Sequence, residues 1–140
     1  MSPSVNRDLI MTKSAAVRKH ISRIKDASDI SLDQFLGDED RQDIVMFNLQ
    51  LTILNCIYIA AHIVSKADSG VPGVASELFY ILEEKNYIDQ VLANHMAKSV
   101  GLRNLIVHEY SRLDLEMIYD ISHNSLTHLE TFLKIVLNTI

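Results

Sequence analysis

At 140 residues and 15.9 kDa, with 48% apolar and 22% charged residues, the chain is the size of one domain that buries its own core; this excludes two separate domains, an extended disordered segment and a collagen-like repeat. Four Gly and two Pro supply too few turn formers for a many-stranded sandwich or barrel, so an all-α fold is expected. The net charge of −5 is unevenly spread, with six basic side chains (Arg7, Lys13, Arg18, Lys19, Arg23, Lys25) against Asp8 in residues 1–25, and seven basic against seventeen acidic in the rest. A cationic first element on an acidic body reads as a solvated helix face or, as the sharper alternative, a phosphate-facing surface.

The first periodic segment runs from about Val5 to Lys25, with Val5, Leu9, Thr12, Ala16, His20 and either Ile21 or Ile24 on its apolar side. Residues 27–40 are acidic and irregular, and Ser31 followed by Gln34 forms a capping-box pattern for one short helical turn. Asp38 then offers an N-cap to a long helix ending near Lys66 or Ala67, with Glu39, Asp40 and Asp43 suited to the positive end of its dipole. From Ile44 to Val64 this helix is apolar on nearly every side, which predicts a central position in a bundle plus a subunit interface. Its most apolar stretch, Leu49 to Val64, is shorter than the roughly 20 residues of a membrane span and is interrupted by Gln50, Asn55 and His62, so no membrane association is expected. Residues 68–73 read as a turn.

A shorter helix follows over about Val74 to Lys85, with Leu78, Ile81 and Leu82 inward, and Asn86-Tyr87 ends it. The next begins near Asp89 and runs past Gly101, and the last begins at the N-cap Asp114 and continues almost to Ile140. Four long helices and one shorter one predict an up-and-down bundle in a single domain spanning residues 1–140. The one cysteine, Cys56, cannot close an intramolecular disulfide, and no secretory leader pattern opens the chain, so a cytoplasmic location is expected.

Most signatures of chemistry are absent: there is no Gly-rich phosphate loop, paired-His zinc helix or CxxC. His123 and His128 are five apart, which separates them by about 140° on a helix and argues against a shared metal. His20, His62 and His95 fall inside helical patterns and read as structural histidines, so neither metal nor cofactor is expected. One cluster stands apart, Gly101-Leu102-Arg103-Asn104-Leu105-Ile106-Val107-His108-Glu109-Tyr110. Asn104 and His108 are i,i+4 neighbours, whereas Arg103 is rotated about 140° from His108. Either the helix ends around His108, letting His108 and Tyr110 fold back, or the site is shared across a symmetric dimer. The residue types suit phosphoryl chemistry without a metal, since Arg stabilises charge developing on a phosphate and His moves a proton near neutral pH; a polar cluster capping the helix end is the bland alternative.

The run Arg103 to Tyr110 resembles the RxxxxHxY motif of HepT-like toxins of the HEPN superfamily, the toxin halves of MntA-HepT toxin-antitoxin pairs. Residues 42–50, residues 56–63, Gly101 and the acidic helix start Leu113-Asp114 resemble the same family, most strongly over residues 41–115. The resemblance implies a helical bundle dimerising through the motif-bearing region, so that Arg and His of two subunits line one cleft. It implies a metal-independent endoribonuclease in which a ribose 2′-hydroxyl attacks the adjacent phosphate. Carried over, His108 is general acid or base, Arg103 binds the scissile phosphate, and Asn104 orients one of them. Tyr110 matches the position that an MntA-type nucleotidyltransferase antitoxin modifies with AMP, adding charge and bulk that would block RNA entry. The implied partners are therefore an RNA substrate, this nucleotidyltransferase and a second copy of the chain in a homodimer or higher oligomer. A non-catalytic helical subunit that docks a nucleotidyltransferase is the alternative.

Overall fold

A computed structural model of the protein describes residues 6–66 and 74–140. These form seven α-helices, α1 (Arg7–Ser28), α2 (Leu32–Leu36), α3 (Glu39–Lys66), α4 (Ser76–Glu84), α5 (Gln90–His108), α6 (Leu115–Asn124) and α7 (Leu126–Thr139), with a 3₁₀ turn at Tyr110–Arg112 between α5 and α6. The expected Val5 and Ala67 boundaries and the turn at 68–73 lie outside the described residues.

The predicted caps form where their side chains allow. Ser31 and Gln34 make the reciprocal capping box of α2, the Asp38 carboxylate accepts from the Arg41 N–H at 3.1 Å, and Asp114 caps α6; α5, expected to begin near Asp89, is capped by that residue. Asn86, at φ 64°, occupies the left-handed region, the conformation that stops α4 and turns the chain into α5.

The inward face of α1 differs from the expected one. Ile10, Ser14, Val17, Ile21, Ile24 and Ala27 are buried, while Leu9 and Thr12 face solvent and Ala16 and His20 are half-buried. The stripe that starts at Ile10 sets four β-branched side chains, Ile10, Val17, Ile21 and Ile24, against α3, and a stripe starting at Leu9 would turn Thr12 inward instead.

α3 is the centre of the bundle, with α1, α2, α4, α5, α6 and α7 all packed against it. Its segment Glu39–Ser65 is long and apolar enough to cross a membrane by length and composition, but six other helices use that apolar surface as their common core. Cys56 is fully buried there, and burial pushes its thiol up to about 12, leaving it an inert core residue.

The expected last helix is two helices. The chain bends at Ser125 (φ −120°, ψ 0°), so the bundle has one element more at its C-terminal end than the sequence predicts. Each half is held by different neighbours. Tyr119 donates to the Ile30 carbonyl at 2.6 Å and the His123 ring lies 2.7 Å from the Ser28 carbonyl, tying α6 to the end of α1, whereas Phe132 of α7 meets Phe79 of α4 edge-on at 5.4 Å. One straight helix cannot satisfy both sets, and His123-Asn124-Ser125 is a weak helix-forming stretch at which to bend.

Between α5 and α7 the His95 and His128 rings stack in parallel, 3.5 Å between centroids, beside a cavity of about 210 Å³ that Lys98 also lines. Burial, and then the charge of His95, lower the pKa of His128 from 6.5. The unfolded chain therefore binds this proton more readily than the folded one. The stability is present in full above pH 6.5 and is lost as the pH falls through the lowered folded-state value. The thermal midpoint is expected to fall between neutral and mildly acidic pH, with a shallower fall in His128→Asn; equal slopes in the two proteins would remove this pair as the cause.

Candidate active site

One end of the bundle gathers the terminus of α1, α2, the start of α3, the end of α5 and the 3₁₀ turn. Arg41 on α3 donates to the Asp26 and Ala27 carbonyls at 3.3 and 3.2 Å, and the Tyr110 hydroxyl donates to the Asp43 carboxylate on α3. Of the four residues singled out in the sequence, Arg103, Asn104 and His108 lie on the last turns of α5, and Tyr110 on the 3₁₀ turn that follows.

α5 is continuous to His108, its last residue, and Glu109 closes it by donating its N–H to the Leu105 carbonyl at 2.8 Å. Of the two arrangements open from the sequence, the fold-back applies to Tyr110 alone, which the 3₁₀ turn carries onto α3. His108 stays on the helix and is exposed. Within one chain Arg103 and His108 therefore keep the divergence of about 140° that five helical residues impose.

Helical spacing places Arg103 on the same stripe as the buried Met96, Val100 and Ile106. The side chain is half-buried, its Nη1 donates to the Asn104 side-chain oxygen at 3.3 Å, and its Nε is buried without a hydrogen-bond partner among the described residues. A guanidinium that is part-buried, braced on one side and unsatisfied on another is poised to take an anionic ligand.

Tyr110 rests against a cleft of about 490 Å³ lined by Leu36, Asp43, Met46 and Leu113 among others. Its phenol is pushed up to about 12, first by burial, then by the hydrogen bond and charge of Asp43, and then by Glu39. Ile44, Phe47, Leu105 and Val107, all more than 40% exposed, leave apolar surface on α3 and α5 around this end.

The other histidines have structural neighbours. The His20 ring meets the buried Asn48 side chain at 2.9 Å, and His62 accepts the Asn6 N–H at 2.9 Å. Among the described residues no three His, Cys, Asp or Glu side chains converge as a metal-binding group. The basic face of α1 is partly engaged within the chain: Lys25 pairs with Glu130 at 3.3 Å, and Lys13 sits 4.9 Å from the Tyr58 ring centroid.

Two pairings were missed in the sequence. Asp43 had already been assigned to the dipole of α3, and no local pattern links it to Tyr110, 67 residues away. His95 and His128 lie on separate helices, so only the packing of α7 on α5 unites them.

The family of HepT-like ribonucleases matches residues 17–136. The mRNA nuclease HepT of Shewanella oneidensis is 35% identical over 92% of this chain and 96% of its own length, and the tRNA nuclease HepT of Aphanizomenon flos-aquae is 33% identical over 79% and 76%. Among solved structures, the tri-AMPylated HEPN toxin of Shewanella oneidensis in complex with its MNT antitoxin superposes with a TM-score of 0.86 at 35% identity, covering 92% of this chain and 96% of that one. A toxin-antitoxin complex with AMP-PNP superposes with a TM-score of 0.87 at 33% identity, covering 92% and 97%. The architecture is thus a HEPN-type helical bundle. The chain belongs to the HepT-like ribonuclease family.

Proposed function

We propose that this protein is the toxin of a toxin-antitoxin pair, a metal-independent endoribonuclease that cuts tRNA or mRNA and is silenced when an MntA-type nucleotidyltransferase transfers AMP to Tyr110. The observation that carries the reading is the last stretch of α5, where a part-buried Arg103 with an unpaired Nε, braced by Asn104, stands about one and a half turns before an exposed His108. The relatives act on mRNA and tRNA, and the Shewanella toxin is found AMPylated with its antitoxin bound.

The cleft is formed by two subunits. Arg103 and His108 diverge on one helix, and a second copy docked over Leu105, Val107, Ile44 and Phe47 covers that apolar surface while supplying the complementary side chain. Arg103 holds the scissile phosphate and stabilises the charge that grows on its oxygens, and Asn104 fixes the guanidinium plane. His108 exchanges protons with the attacking ribose 2′-hydroxyl or the departing 5′-oxygen, which leaves a 2′,3′-cyclic phosphate and a 5′-hydroxyl. Adenylate on Tyr110 places charge and bulk at the mouth of this cleft.

The test is incubation of protein of unmodified intact mass with bulk RNA and tRNA in excess EDTA. Cleavage leaving cyclic phosphate ends is expected, together with growth arrest on expression without the antitoxin. Intact RNA and harmless expression would overturn the nuclease reading in favour of a subunit that only docks a nucleotidyltransferase.

A further inference from the structure

Among the described residues the Tyr110 hydroxyl has a single hydrogen-bond acceptor, the Asp43 carboxylate, which the start of α3 holds on the wall of the cleft beside the ring. The geometry points to Asp43 as the general base of Tyr110 modification, so that this chain supplies the proton acceptor for its own silencing. This rests on the reading of Tyr110 as the AMP acceptor.

The need for a base follows from the phenol. Raised to about 12 by burial and by the neighbouring carboxylates, it is almost entirely protonated at neutral pH and is a weak nucleophile. The residue is 43% exposed and lines the cleft, which gives an incoming nucleotide a way to it, while its hydroxyl donates to Asp43. In the transfer, the Tyr110 Oη–Pα bond of ATP forms as the bond from Pα to the bridging oxygen of the β-phosphoryl group breaks, and that electron pair leaves with pyrophosphate. The phenolic proton passes along the existing hydrogen bond to the Asp43 carboxylate, which later returns it to water. Glu39 adds negative charge nearby but makes no hydrogen bond to Tyr110, so it raises the cost of a free phenolate without relieving it. The carboxylate thus disfavours spontaneous ionisation and favours proton transfer concerted with attack.

The experiment uses the full chain, an MntA-type nucleotidyltransferase and ATP, with adenylate addition followed by intact mass from mildly acidic to alkaline pH. Asp43→Asn retains an oxygen that accepts the phenol hydrogen bond but cannot hold the proton. It is expected to be modified about 100-fold more slowly. Its rate should climb about tenfold per pH unit as phenolate forms, whereas the parent rate levels off. A purely positioning role predicts near-parent modification of Asp43→Asn and slow modification of Asp43→Ala alone, and that result overturns the proposal. Asp43 is exposed, so both variants are expected to keep the parent melting midpoint. A parent protein that gains no adenylate overturns the Tyr110 reading itself and this inference with it; a modified parent with an equally modified Asp43→Asn overturns only the inference.

Discussion

Replacing His108 by Ala is expected to lower the rate of RNA cleavage by about 10²–10⁴-fold, the usual contribution of a positioned general acid or base. The fold should be nearly untouched. His108 is exposed at the last position of α5, outside the buried stripe, so truncating it removes no core packing. The measurement is the initial cleavage rate in EDTA with thermal melting of the same samples. A His108→Ala protein that melts with the parent and still cuts at the parent rate would remove the imidazole from the mechanism. Loss of cleavage with a large drop in melting temperature would instead make His108 a structural residue, at odds with its exposure.

How much of this was legible in the sequence depends on the range of the interaction. Ser31, Asp38 and Asp114 were readable as caps because a cap is a contract between a side chain and a backbone group two or three residues away. Asn86 was readable as a stop for a similar reason, since its φ of 64° is a local conformational choice. The bend at Ser125 was not, because no Gly or Pro marks it and its cause lies in the different neighbours of Tyr119 and Phe132. The face of α1 failed for a related reason: Leu9 and Ile10 are both apolar, and only α3 decides which turns inward.

The candidate site divides in the same way. Arg103, Asn104, His108 and Tyr110 share one stretch of ten residues and were found by residue type and spacing. Asp43 was hidden because a carboxylate at a helix start already has an electrostatic reason to be there, and only the fold reveals its second partner. The sequence did expose the angular conflict between Arg103 and His108, and the continuous α5 keeps it within one chain, which is the ground for the proposed shared cleft.

The proposed shared cleft yields the sharpest expected result. Arg103→Ala alone should lose about 10²–10³-fold in cleavage, as for removal of a donor that stabilises developing negative charge. Arg103→Lys should recover little of it, since an ammonium cannot reproduce the fork that Asn104 braces. In the proposed symmetric dimer each cleft would draw Arg103 from one subunit and His108 from the other. A heterodimer of Arg103→Ala with His108→Ala then has one cleft lacking both groups and one cleft holding both. Equal mixing after unfolding and reassembly makes half of the dimers heterodimers, so activity should return to about a quarter of the parent value. A site built within a single chain predicts the opposite. Every cleft in every dimer would then lack one group, and the mixture would cut no faster than the average of the two inactive proteins. The same samples, analysed for subunit exchange by native mass, separate a failure to mix from a failure to complement, so a mixed and inactive population would overturn the shared cleft.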